Sequence, residues 1–146
     1  MAVEQRASCV WTGTLTEGEG RVSAESSGLF ADAPVTWKAR SEEAGSTTSP
    51  EELLAAAHAS CFSMALSSGL TKAGTPPERL EVTATATFQA GEGVTSMHLE
   101  VIGVVPSADD AAFGHAAETA KENCPISKAL AGVPSITLDA SLRAEA

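Results

Sequence analysis

The sequence predicts an α+β domain with a mostly antiparallel sheet and helices packed on one face. Three observations lead there. Short segments of two-residue alternation occur near both ends and in the middle of the chain. One long apolar stretch, "SPEELLAAAHASCFSMALS" over Ser49–Ser67, carries the start signals of a helix. Gly- and Pro-containing turns separate the segments into the order βββ-α-ββ-α-α-β.

Each element has a local reason. In Ala7–Ser26, Cys9, Trp11 and Leu15 alternate roughly with Thr12 and Thr14, and the Gly-rich centre Glu17–Gly20 turns the chain back, which predicts a hairpin. A short third strand is expected around Val35–Arg40, "VTWKAR", followed by a polar loop over Ser41–Ser49. Ser49 caps a long helix, with Pro50 at its first position and Glu51 and Glu52 in its first turn. That helix is expected to be buried almost all round and to run to about Lys72, before Gly74 and Pro76–Pro77.

Leu80, Val82, Ala84, Ala86 and Phe88 then alternate with polar neighbours, and Met97, Leu99 and Val101 repeat the pattern after the Gly91–Gly93 turn. A second helix is expected to open at Ser107, with Asp109 and Asp110 in its first turn, and to reach about Asn123. Pro125 disfavours helical geometry at Cys124 and starts a short helix ended by Gly132. Ile136, Leu138, Ala140 and Leu142 form the last strand.

At 146 residues the chain is expected to be one domain, residues 1–146, and 43% hydrophobic residues are ample for a core. No uninterrupted apolar run approaches the roughly 18 to 20 residues of a membrane span, since His58, Ser60 and Ser63 break the longest. The start, "MAVEQRASCVW", lacks a basic segment followed by an apolar one, so the expected compartment is the cytoplasm. A net charge of −10 repels phosphate backbones and anionic lipid surfaces, so no nucleic-acid or membrane partner is expected. Three cysteines suit packing, metal ligation or redox chemistry better than a disulfide framework.

Two cysteines stand out. Cys61 lies about ten residues into the long helix, and Leu54, Ala57, His58, Met64, Ala65 and Ser68 share its face. Apolar surroundings raise a thiol pKa, so Cys61 is either a packing residue or a nucleophile that needs a cation, and Lys and Arg total only nine. Cys124 falls at the cap of a Pro-initiated helix, where exposed N–H groups favour thiolate, although a small residue before proline is an equally simple reading. Two cysteines on adjacent core-facing elements are compatible with a redox pair, which spacing alone does not establish.

The remaining candidates read as structural. His58, three positions before Cys61, is more simply a core histidine with one satisfied nitrogen than half of a Cys–His pair. His98 and His115 are expected on the surface, and Cys9 is read as packing. No C-x-x-C-type spacing suggests a metal site.

"SPEELLAAAHASCFSMALS", "KENCPISKAL" and "WTGTLTEGEGRVSAES" together resemble the osmotically inducible protein C (OsmC) family of hydroperoxide reductases, in the same element order over nearly the whole chain. The resemblance implies an OsmC-like fold, an intertwined homodimer with its sites at the subunit interface, and a thiol peroxidase acting on organic hydroperoxides. The family's peroxidatic cysteine falls on Cys61, its partner cysteine on Cys124, its activating arginine on Arg40 in "WKARSE", and the carboxylate that holds the arginine on Glu51. The organic-hydroperoxide-resistance branch takes its arginine from earlier in the chain, where Arg21 stands in "GEGRVS"; His58 favours the OsmC branch.

The implied mechanism passes through a Cys61 sulfenic acid and a Cys61–Cys124 disulfide, reopened by an external dithiol of lipoyl type, with no metal or flavin cofactor. Glu51 and Cys61 are ten positions apart, about 15 Å along a straight helix, so one arginine does not comfortably reach both. Either the helix bends or Arg40 and Glu51 reach the Cys61 of the other subunit, and the second is the expectation. Two other functions compete with this one: a non-catalytic protein binding small apolar ligands on the same scaffold, and a Cys–His hydrolase, which needs an oxyanion hole the sequence does not locate.

Overall fold

The computed structural model describes residues 1–43 and 45–144. The chain divides into two compact units, Met1–Leu53 and Leu54–Ala146.

In the first unit, β1 (Ala7–Thr12), β2 (Glu19–Ala24) and β3 (Ala33–Val35) form an antiparallel sheet in that order. The hairpin pairs Cys9 with Val22 and Trp11 with Gly20. A Cβ on Gly20 would stand 2.9 Å from the Trp11 ring and 3.0 Å from Cys9 Sγ, so both side chains lean over the bare glycine. All six residues of β1 are exposed, which corrects the reading of Cys9 as a packing residue.

The strand expected over Val35–Arg40 is also corrected. The chain leaves β3 at Val35 and forms helix α1 (Trp37–Ser41). Thr36 decides this: its backbone is extended and its hydroxyl accepts from the Ala39 N–H at 3.2 Å, a cap that outweighs the β preference of Val-Thr-Trp.

Helix α2 (Pro50–Lys72) starts as its sequence dictates, with Ser49 Oγ accepting from the Glu52 N–H at 3.1 Å. It is not buried all round. His58, Phe62, Leu66 and Leu70, each four residues on, form one buried stripe, whereas Met64 on another face is 72% exposed. By length and composition α2 could cross a membrane, although no uninterrupted apolar run does so; the buried stripe is that of a core helix.

In the second unit, β4 (Arg79–Gln89) and β5 (Gly93–Val104) pair antiparallel, with an irregularity at Thr87/Phe88. The final strand, β6 (Ser135–Leu142), runs parallel to β5, within a domain expected to be mostly antiparallel. A parallel neighbour requires a crossover, and α3 (Asp110–Asn123) and α4 (Pro125–Ala129) supply it. Helix α3 begins three residues later than expected because Asp109 is its cap, accepting from the Ala112 N–H at 2.8 Å. Phe62, Leu66 and Leu70 pack with Leu99, Val101 and Phe113, and Cys124 belongs to the same cluster. Gly103 admits the Phe113 ring, since a Cβ there would lie 2.6 Å from Phe113 Cζ.

Candidate active site

The sequence-predicted residues meet in two pairs, one in each unit. In the first unit, α1 and the opening turn of α2 bring Arg40 to Glu51. Arg40 Nε donates to both carboxylate oxygens, at 3.0 and 3.1 Å. Glu51 is only 7% exposed, so this charge-assisted contact holds a nearly desolvated carboxylate. The guanidinium also lies 6.0 Å from the Trp37 ring centroid, one helical turn back. Arg21 is placed differently: itself exposed on β2, it bonds Glu19 at 2.8 Å and the Asp32 carbonyl at 3.3 Å.

In the second unit, Cys61 from α2 meets Cys124 at the α3–α4 junction. Both are free thiols, and Cys124 is fully buried. Their side chains are close enough to move each other's acidity, in opposite directions. Burial pushes the Cys61 thiol up, and donation to Cys124 pushes it further in the same direction. Burial would raise Cys124 too, but the Cys61 thiol, the Ile126 and Ser127 N–H groups and the Ser127 hydroxyl outweigh it, and the net shift is downward. Cys124 closes no capping hydrogen bond of full geometry, so these groups favour its thiolate by polarity rather than by locking the side chain as a cap. Within this unit Cys61 thus holds its proton more tightly than Cys124.

The local chain explains Cys124. Its N–H donates to the Ala120 carbonyl at 2.8 Å, ending α3, while Pro125 keeps it extended, with φ −55 and ψ 125, before α4 begins.

Sequence reasoning missed Ser127. It is buried, and its Oγ lies 2.8 Å from Nε2 of His58, 69 positions away. The available signal was a serine at the third position after the cap cysteine in "NCPIS". His58 is fully buried with one nitrogen paired and Nδ1 without a partner among the described residues, as a core histidine is expected to be. Burial lowers its pKa and keeps the ring neutral. His98 lies against Thr137 and Asp139, and His115 is exposed on α3.

This fold, with a cysteine from the long helix against a cysteine at a Pro-initiated turn, defines a class. The model of the OsmC-like protein family matches residues 43–139, and the chain belongs to that family. It is 38% identical over 147 aligned residues to proteins named peroxiredoxin OsmC from Escherichia coli strain K12 and Shigella flexneri, covering 98% of this chain and 99% of each relative. Among solved structures, an OsmC-like protein from Mycoplasma pneumoniae superposes with a TM-score of 0.73 at 15% identity, covering 97% of this chain and 99% of that one. The organic hydroperoxide resistance protein OhrB of Bacillus subtilis does so with a TM-score of 0.61 at 20% identity, over 94% and 98%. Both structures share the fold.

Proposed function

We propose that the chain is a thiol-dependent peroxidase that reduces organic hydroperoxides to alcohols with Cys61 and Cys124. The observation that carries this is that two free thiols, separated in sequence by two strands and a helix, come together at one cluster and shift each other's acidity. The relatives named peroxiredoxin OsmC support the same reaction class.

In the first step the Cys61 thiolate attacks the terminal oxygen of ROOH. The S–O bond forms, the O–O bond breaks, the alkoxide takes a proton and leaves as alcohol, and sulfur is oxidised by two electrons to sulfenic acid. The Cys124 thiolate then attacks the sulfenic sulfur; S–S forms, S–O breaks, and hydroxide leaves as water after taking a proton. An external dithiol of lipoyl type restores both thiols by exchange and is itself oxidised to a disulfide. Apolar neighbours of Cys61 favour alkyl or aryl hydroperoxides over hydrogen peroxide.

Cys61 needs a cation because burial and Cys124 both hold its proton on. In the proposal this cation is Arg40, aimed by Glu51 and contributed by the second subunit of a homodimer. Exposed apolar side chains support such a partner: Val10, Trp11 and Leu29 in the first unit and Met64 in the second. No nucleic acid, membrane or cofactor enters the reaction, and its setting is the cytoplasm.

Steady-state turnover of cumene hydroperoxide with dihydrolipoamide tests the proposal. Turnover that vanishes in Cys61→Ser supports it; turnover that persists there overturns it. Mixing inactive Arg40→Ala/Glu51→Ala and Cys61→Ser chains tests the shared site, because subunit exchange restores activity only if the two halves come from different chains.

A further inference from the structure

The reaction above leaves one buried group unused. His58 sits beside the cysteine pair, its Nε2 spent on Ser127 and its Nδ1 on nothing among the described residues. We propose that His58 is a positioning residue for disulfide closure, holding the Ser127 hydroxyl so that its proton points at the Cys124 sulfur. The inference rests on the two-cysteine peroxidase reading.

The direction of the hydrogen bonds follows from the partners available. A hydroxyl has one proton, so Ser127 donates either to His58 or to Cys124. If it donated to His58, the ring proton would sit on Nδ1, leaving a buried N–H without a partner, which is rarer than a bare lone pair. With the proton on Nε2 instead, His58 donates to Ser127 Oγ at 2.8 Å and the serine proton is released toward sulfur. Ser127 is the third residue of α4, the position whose side chain reaches back toward the cap residue Cys124, and it acts on that thiol as a hydroxyl that favours the thiolate. Burial holds the ring neutral, so only one of its nitrogens carries a proton.

The effect falls on the second chemical step. Closure forms the S–S bond and breaks the S–OH bond of Cys61, with hydroxide leaving as water after taking a proton, so its rate follows the amount and aim of Cys124 thiolate. A hydrogen bond also blunts the nucleophile, but nucleophilicity falls only about half as steeply as pKa, so below the thiol pKa the larger thiolate fraction wins. The relay touches the first step only through Cys124, which holds the Cys61 proton on, so losing the relay should not slow attack on the peroxide.

Rapid mixing with cumene hydroperoxide separates the two steps, reading sulfenic acid at Cys61 by dimedone capture and closure by loss of the second thiol. His58→Leu and Ser127→Ala should each slow closure about 10- to 100-fold, the scale of one hydrogen bond to a charged group. Sulfenic-acid formation should not slow, and the double variant should close no more slowly than either single one, because the residues act in series. His58→Gln, whose amide N–H can replace Nε2–H, should recover most of the rate. If His58→Leu fails to fold, Ser127→Ala with His58→Gln carries the same test. Unchanged closure in Ser127→Ala, equal slowing of both steps, or no recovery in His58→Gln overturns the relay. Absence of any sulfenic acid or disulfide in the wild-type protein overturns the peroxidase reading itself.

Discussion

Cys61 and Cys124, free thiols from two separate elements, lie near enough in the reduced protein to shift each other's acidity in opposite directions. Cys124 is held below the ordinary thiol range and Cys61 above it, so Cys124 is the more acidic of the two until a cation reaches Cys61.

The cysteines should therefore fail differently. Cys61→Ser should consume no hydroperoxide and keep its remaining thiols. Cys124→Ser should form sulfenic acid at Cys61 but never a disulfide within the chain, and excess hydroperoxide should carry it on to sulfinic acid. Intact-mass measurement distinguishes the products, since each step adds one oxygen.

Removing the cation should act through the thiolate fraction. Arg40→Met should slow peroxide reduction at neutral pH about 10- to 1,000-fold, the range over which a neighbouring opposite charge moves a thiol's ionised fraction. Glu51→Gln, which keeps an acceptor for Arg40 Nε but loses the charge, should fall between Arg40→Met and wild type. The check is the pH dependence of the second-order rate: raising the pH should restore much of the loss in Arg40→Met.

Stability should respond to pH through His58. Burial lowers its pKa from the ordinary 6.5, so the folded protein takes up a proton less readily than the unfolded chain. Its contribution is complete above about pH 6.5 and is lost as the pH falls below that value toward the folded pKa. Urea midpoints at about pH 7.5 and about pH 5.5 should therefore drop more for wild type than for His58→Met, which has no proton to bind.

Gly103→Ala should destabilise the second unit by about 1–3 kcal/mol, the usual cost of overpacking, because the new Cβ meets the buried ring of Phe113 rather than a flexible chain end. Denaturant unfolding measures it. The large-to-small variant Phe113→Leu in the Gly103→Ala background should recover part of the loss.

Most of this fold was legible because its signals are local. The hairpin followed from alternation around a Gly-rich turn, and α2 from Ser49, Pro50 and two glutamates. What escaped was set by distance or by competition. Helix α1 hid behind Val35, Thr36 and Trp37, residues that favour strands, until a single hydroxyl cap decided the matter. Alternation marks β6 as a strand but carries no direction, which the α3–α4 crossover sets. The apolar residues of α2 surround the helix, so its sequence does not say which face a single chain buries. Ser127 is a small polar residue near a proline, unremarkable until the fold carries it to His58. The cysteine, arginine and glutamate assignments came from a family resemblance rather than from spacing, and the two contacts, Arg40 with Glu51 and Cys61 with Cys124, give them a physical basis.

The most direct test of the central claim is intact mass and free-thiol count after one equivalent of cumene hydroperoxide, followed by non-reducing peptide mapping. The account predicts rapid loss of two thiols and two hydrogens per chain, mapped to a Cys61–Cys124 disulfide, with Cys9 still free. Survival of all three thiols, or oxidation confined to Cys9, would contradict it.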